Sequence, residues 1–185
     1  MINEIIKEAE TRMRSSVQVL EEDLAGIRTG RASPALVEKL SVEYYGSPTP
    51  LVQLASISIP EPRQILIKPF DASSIRDIER AIQTSDLGLT PMSDGKTIRL
   101  NLPPLTEDRR KELVRLVQTR VEEARISIRN IRRDAIKDMR DFENEKLISK
   151  DDLIRGEEEA QKSTDEYNGK INGIGEQKEK EVMEV

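Results

Sequence analysis

The chain has 185 residues, of which 35% are charged and only 3% aromatic; its formal net charge is -5, and it contains neither cysteine nor histidine. These absences exclude disulfides, thiolate chemistry and zinc–sulfur sites, and they remove the commonest general base and metal ligand. So few rings suit narrow aliphatic seams between long helices better than a rounded core.

The first element is helical. Ile2, Ile6, Ala9, Met13, Val17, Leu20, Leu24 and Ile27 recur every three or four residues, with charged residues between them. That spacing predicts one amphipathic helix over 2–28, with Gly30 as its stop. The opening Met1-Ile2-Asn3-Glu4, followed by Glu8 and Glu10, lacks the basic start and apolar core of a signal peptide. No apolar run approaches membrane-spanning length. A soluble, cytoplasmic chain with no membrane partner is the expectation.

Residues 30–104 read differently. All nine prolines fall between Pro34 and Pro104. Short β-rich runs at Val37–Tyr45, Leu51–Ile59, Gln64–Lys68 and Thr97–Leu100 are punctuated by Gly46, Pro48, Pro60, Pro62 and Asp94-Gly95. Ser73–Thr84 carries Ile75, Ile78, Ala81 and Ile82 on one helical face. The segment reads as a small α/β module with its own modest core.

Helical periodicity returns at 105–185. Thr106 is a good N-cap, with Glu107 and Asp108 in the first turn to complement the helix dipole. Leu113, Val117, Val121, Ala124, Ile128, Ile131, Ala135, Met139 and Phe142 continue without Pro or Gly, predicting a helix to about residue 145 and about 60 Å long. After a break at Leu147–Ser149, Ser149 and Asp152 form a capping-box pattern. Leu153, Ala160, Tyr167, Ile171, Ile174 and Val182 give a weaker third stripe, interrupted by Gly156, Gly169, Gly173 and Gly175. Each glycine costs about 1 kcal/mol against Ala in a helix interior, so local softness is expected there.

One helix before the module and two after it predict an α+β protein of two domains. The first is an elongated three-helix bundle from 1–29 and 105–185; the second is an inserted β/α/β domain over 30–104. The chain crosses between them near 29–31 and 102–105, so Thr29, Gly30, Arg31, Pro103 and Pro104 are the candidate hinge. Three seams satisfy one another within one chain, which predicts a monomer.

The acidic total hides a basic stretch. Residues 109–133 hold nine bases (Arg109, Arg110, Lys111, Arg115, Arg120, Arg125, Arg129, Arg132 and Arg133) against the acids Glu112, Glu122 and Glu123. Eight of the nine are arginine, whose planar fork suits phosphate better than lysine does. Arg125, Arg129 and Arg132 are spaced four and then three, so they share a face beside the apolar seam. Spacing alone leaves two readings open. The arginines flank the seam and pair with acids on neighbouring helices, or they form a strip for RNA phosphate. With so few rings, RNA recognition would rest on phosphate, ribose and shape.

Other motifs have ordinary explanations. Ser93-Asp94-Gly95-Lys96 lacks the spacing and following helix of a phosphate-binding loop and reads as a turn between strands. Tyr44-Tyr45 reads as part of a strand with one ring buried, and Glu157-Glu158-Glu159 as a solvated helix face.

Several segments resemble one family in order along the whole chain. They are Ile27-Arg28-Thr29-Gly30-Arg31-Ala32-Ser33-Pro34, Val42-Glu43-Tyr44-Tyr45-Gly46 with Pro48-Thr49-Pro50-Leu51, Gln53-Leu54-Ala55, and Ser85-Asp86-Leu87-Gly88-Leu89. Leu102-Pro103-Pro104-Leu105-Thr106-Glu107, Arg109-Arg110, and Ile128-Arg129-Asn130-Ile131-Arg132-Arg133-Asp134-Ala135 complete the series. Together they resemble bacterial ribosome recycling factor. The resemblance implies an L-shaped, two-domain protein without a catalytic site, cofactor or metal. It implies binding to the post-termination ribosome through large-subunit rRNA, and subunit splitting with elongation factor G, which hydrolyses GTP. It places rRNA contact on Arg129 and Arg132, with Arg110 and Arg133 in support and Arg28 and Arg31 at the hinge end. The glycines of the third helix depart from the family's more helix-favouring pattern. Two competing functions are a coiled-coil adaptor, which leaves the basic strip unexplained, and an enzyme in 30–104, which lacks a convergent catalytic cluster.

Overall fold

The structure, a computed structural model, describes residues 1–184. In chain order the elements are α1 (Ile2–Ala25), a 3-10 turn (Pro34–Leu36), β1 (Ser41–Tyr44), β2 (Ser47–Pro50), the single turn α2 (Leu51–Leu54), β3 (Ala55–Glu61) and β4 (Gln64–Pro69); a second 3-10 turn (Ala72–Ser74), α3 (Ile75–Thr84), β5 (Pro91–Ser93), β6 (Ile98–Asn101), α4 (Glu107–Asn144) and α5 (Lys150–Met183) follow. The chain divides into two compact units. Met1–Leu24 and Val114–Lys180 form one; Ala25–Leu113 and the residues from Glu181 onward form the other.

The first unit is helical. Its seam is built by Ile6, Ala9, Met13, Val17, Leu20 and Leu24 of α1 and by Val117, Val121, Ala124, Ile128, Ile131, Ala135 and Met139 of α4, all buried. Burying each large aliphatic side chain is worth about 1.5–3 kcal/mol, which outweighs the weak intrinsic stability of a lone helix. Cross-helix polar contacts fix the register. Ser16 Oγ lies 2.8 Å from Ser127 Oγ, Ser163 donates to Glu10 Oε1 at 2.8 Å, and Arg140 Nε meets Glu157 Oε1 at 2.9 Å.

α5 packs differently from its sequence pattern. Leu153 and Ile174 are only half-buried, while Gly156, Ser163, Thr164 and Gly175 join the expected Ala160, Tyr167 and Ile171 in the seam. Small residues let α5 approach its neighbours closely. A Cβ on Gly175 would sit 2.7 Å from Val121 Cγ2, and one on Gly156 would run into Met139 Sδ and the Ile2 side chain. Gly169 and Gly173 face open space. The helix is continuous to Met183, so two of the four glycines serve packing rather than a break.

The ends of α4 and α5 follow their local chemistry. Thr106 Oγ1 accepts from Arg109 N at 3.2 Å at the start of α4. At its end Lys146 takes φ 57°, Leu147 N donates to Phe142 O and Lys146 N to Glu143 O, the paired closure of a Schellman motif. The capping box before α5 is reciprocal: Asp152 N donates to Ser149 Oγ at 3.0 Å and Ser149 N to Asp152 Oδ2 at 3.1 Å. Those hydrogen bonds hold the Asp152 carboxyl below the usual range.

The second unit holds two antiparallel sheets. β1 pairs with β2, and the other four strands run in the order β3-β4-β6-β5. Ile65, Ile67, Ile98 and Leu100 point into a core closed by Ile75, Ile78 and Ile82 of α3 and by Val37, Val42 and Leu51. Two of the strand runs read from the sequence are shorter here, while Gln64–Lys68 extends to Pro69 and Thr97–Leu100 shifts to Ile98–Asn101. Val37–Tyr45 keeps only Ser41–Tyr44 as strand, because Pro34 starts a 3-10 turn capped by Ser33. Leu51–Ile59 opens as the α2 turn before extending. β2 and β5 carry no sequence signal, since they are short, contain proline and show no alternating burial.

Tyr44 and Tyr45 do not bury a ring fully. Tyr44 is half-buried and donates its hydroxyl to Asp71 Oδ2 at 3.1 Å, while Tyr45, at φ 50°, begins the turn with Gly46 at φ 77° and stands 81% exposed. Two successive positive φ values make the tight hairpin turn that glycine favours. Asp94-Gly95 is a turn as expected. Asp94 accepts from the amides of Thr97 and Lys96 at 2.7 and 2.9 Å, which lowers its pKa and uses up the amides a phosphate would need.

Candidate nucleic-acid interface

The basic strip is carried by the uninterrupted helix α4, whose 38 residues place side chains at three- and four-residue spacing on one face. The structure sorts its arginines by what already holds them.

Arg125 and Arg129 are engaged. Glu122 Oε2 lies 3.3 Å from Arg125 Nη1, and Glu122 Oε1 lies 2.8 Å from Arg129 Nη2. Arg125 also donates through Nε and Nη2 to Asn172 Oδ1 of α5, at 3.0 and 2.6 Å. Hydrogen bonds from Arg129 and then Arg125 hold the Glu122 carboxyl below its ordinary range. The seam-flanking reading therefore holds for Arg125, but the acid involved sits on the same helix.

Arg132 and Arg133 are different. Asp134, the nearest acid in sequence, pairs with Arg12 of α1 at 3.0 Å. Among the described residues neither Arg132 nor Arg133 has an ion-pair partner, and the half-buried Arg132 leaves its Nε without a hydrogen bond. Two adjacent guanidinium groups thus keep their charge uncompensated.

Further basic candidates lie in the other unit. Arg28 donates through Nη2 to the Pro103 carbonyl. Burial and then the like charge of Arg109 lower the Arg28 pKa. The Nε atoms of Arg28 and Arg110 are buried without partners. Arg109 itself pairs with Glu112 at 2.8 Å. Arg31 is exposed, and its amide donates to Thr29 Oγ1 at 3.3 Å. Gly30 has room around it, the nearest atom to an added Cβ being Glu184 O at 3.8 Å. Pro103 and Pro104 are exposed in the irregular stretch between β6 and α4.

The residues that sequence reasoning missed are the acceptors. Glu122 was visible as an acid three and seven positions before Arg125 and Arg129. Asn172 and the Arg12–Asp134 pair depend on how helices meet, which periodicity does not specify. Among the described residues, no group of three or more Asp, Glu, His or Cys side chains is placed to hold a metal, and no helix is long and apolar enough to cross a membrane.

Residues 20–183 match the family model described as ribosome recycling factor. The chain belongs to the ribosome recycling factor family. It is 54% identical to the ribosome-recycling factor of Roseiflexus castenholzii and 56% identical to that of Chloroflexus aurantiacus, in both cases over all of this chain and all of the relative. A ribosome recycling factor with a known solution structure is 47% identical, covers 100% of this chain and 98% of its own, and gives a TM-score of 0.80. A second, the ribosome recycling factor of T. thermophilus described with E. coli elongation factor G on the E. coli post-termination complex, is 44% identical over the whole of both chains, with a TM-score of 0.69. As in these ribosome recycling factors, the fold is a helical bundle with an inserted β/α/β domain.

Proposed function

We propose that the chain is a non-enzymatic recycling factor that binds the post-termination ribosome and, with elongation factor G and GTP, promotes its separation into subunits. Full-length family membership supports the function. The observation that carries the mode of binding is the uncompensated pair Arg132 and Arg133 on a continuous helix. Phosphate provides the acceptors these guanidinium groups lack, and large-subunit rRNA is the phosphate-rich partner. Arg129 adds to this face once it leaves Glu122. Arg125, already satisfied twice, contributes least. Arg28, Arg31 and Arg110 are further basic residues of the second unit, and the Pro103 carbonyl orients Arg28.

The short irregular segments around Thr29–Arg31 and Pro103–Pro104 are the hinge in this reading. They let the inserted domain turn relative to the bundle, so that a push from the GTPase on one is passed to the other and displaces the bundle. The protein works as a monomer in the cytoplasm.

Co-sedimentation with large ribosomal subunits across a salt series tests the binding mode. Binding that weakens steeply with salt is the expected result. Salt-independent binding would favour the adaptor reading, in which apolar helix faces make the contact.

A further inference from the structure

Glu122 stands out among the acids of α4 because it faces the strip itself. It occupies both exposed guanidinium groups at the strip's N-terminal half, in a geometry that phosphate oxygens would adopt. Its two clients are held unequally. Arg125 lines a cleft of about 480 Å³ between α4 and α5, together with Glu122, Glu176, Glu179 and Asn172. Those acids repel an anion, and Asn172 keeps Arg125 in place even without Glu122. Arg129 does not line that cleft, is 55% exposed, and has Glu122 as its partner among the described residues.

We infer that Glu122 is an internal competitor for phosphate: it holds Arg129 in readiness when no RNA is present and must release it for RNA to bind. Glu122 is thus a positioning residue for RNA docking. The inference rests on the reading of the α4 strip as an rRNA contact face. Its physical content is an exchange. An RNA gains a contact at Arg129 only by losing the Glu122 pair, so Arg129 adds little net affinity, while Arg132 and Arg133 carry no such cost.

The test uses the full chain and two probes, unstructured poly(A) RNA and purified large ribosomal subunits, over a salt series. Glu122→Gln keeps the side chain's shape and removes the charge. It is expected to tighten poly(A) binding about 2- to 10-fold, with a salt dependence steeper by about one phosphate contact. Subunit binding is expected to tighten by a similar factor, because the same pair is released on docking. Glu123→Gln makes the same charge change at a neighbouring acid that pairs with Arg120, and is expected to have the smaller effect. In the Arg129→Ala background, Glu122→Gln is expected to change poly(A) binding no further. Equal effects of the Glu122 and Glu123 variants, or an effect that persists without Arg129, would overturn the inference. So would unchanged poly(A) binding in a variant of normal helix content. If Arg129→Ala and Arg132→Ala leave subunit binding intact, the strip reading itself fails; if they weaken it while Glu122→Gln does nothing, only the competitor role fails.

Discussion

Replacing Arg132 by alanine is expected to weaken binding to large ribosomal subunits by about 10- to 150-fold at moderate salt, the equivalent of about 1.5–3 kcal/mol for a hydrogen bond to a charged group. The salt dependence should fall by about one contact. The reason is specific to this position. Among the described residues Arg132 has no ion-pair partner and its Nε makes no hydrogen bond, so no protein group competes with a partner for its guanidinium. The same fact predicts a small effect on folding, within about 0.5 kcal/mol, because no internal hydrogen bond or ion pair is lost. Arg125→Ala should give the opposite pattern. It breaks contacts to Glu122 and Asn172 and leaves subunit binding comparatively unaffected. Equilibrium binding and thermal melting of the two variants side by side separate a docking arginine from a structural one.

The second large effect concerns the glycines of α5. Gly175→Val places new atoms against Val121, where a Cβ alone would already be 2.7 Å from Cγ2. Val121 is buried and stiff at χ1, so relief requires the helices to separate. Overpacking of this kind costs about 1–3 kcal/mol. For a chain of this length that lowers the melting temperature by roughly 2–12 °C. Gly173→Ala, two residues earlier, meets nothing within 4 Å. It is expected to stabilise by up to about 1 kcal/mol through helix propensity. Thermal unfolding of both variants decides the matter. Stabilisation by both would show that the glycines only soften the helix; destabilisation by Gly175→Val alone would show that close approach is what the sequence preserves.

The contrast between those two positions marks what the sequence made legible. The seams of α1 and α4 were readable because large aliphatic residues at three- and four-residue spacing bury the same face in any partner context. The seam of α5 was readable only in part: Ala160, Tyr167 and Ile171 are buried as their spacing predicts, but Gly156, Ser163, Thr164 and Gly175 look like weak helix formers until a neighbouring helix lies against them. Capping chemistry at Thr106 and Ser149 was local, and so it was readable. The strands β2 and β5 were hidden because edge strands without a buried face leave no alternation. For the candidate interface, sequence located the arginines but not their state of pairing. Asp134 adjoins Arg133 in sequence, yet it pairs with Arg12, 122 residues away. Which arginine is spoken for is a property of helix packing, and it is what separates Arg132 from Arg125.

The most direct test of the central claim follows separation of post-termination ribosomes by light scattering, with elongation factor G and GTP present. Splitting is expected when the intact protein is added and not when it is omitted, with Arg132→Ala failing to replace it although it remains folded. Ribosomes that stay joined in the presence of the intact protein would contradict the account.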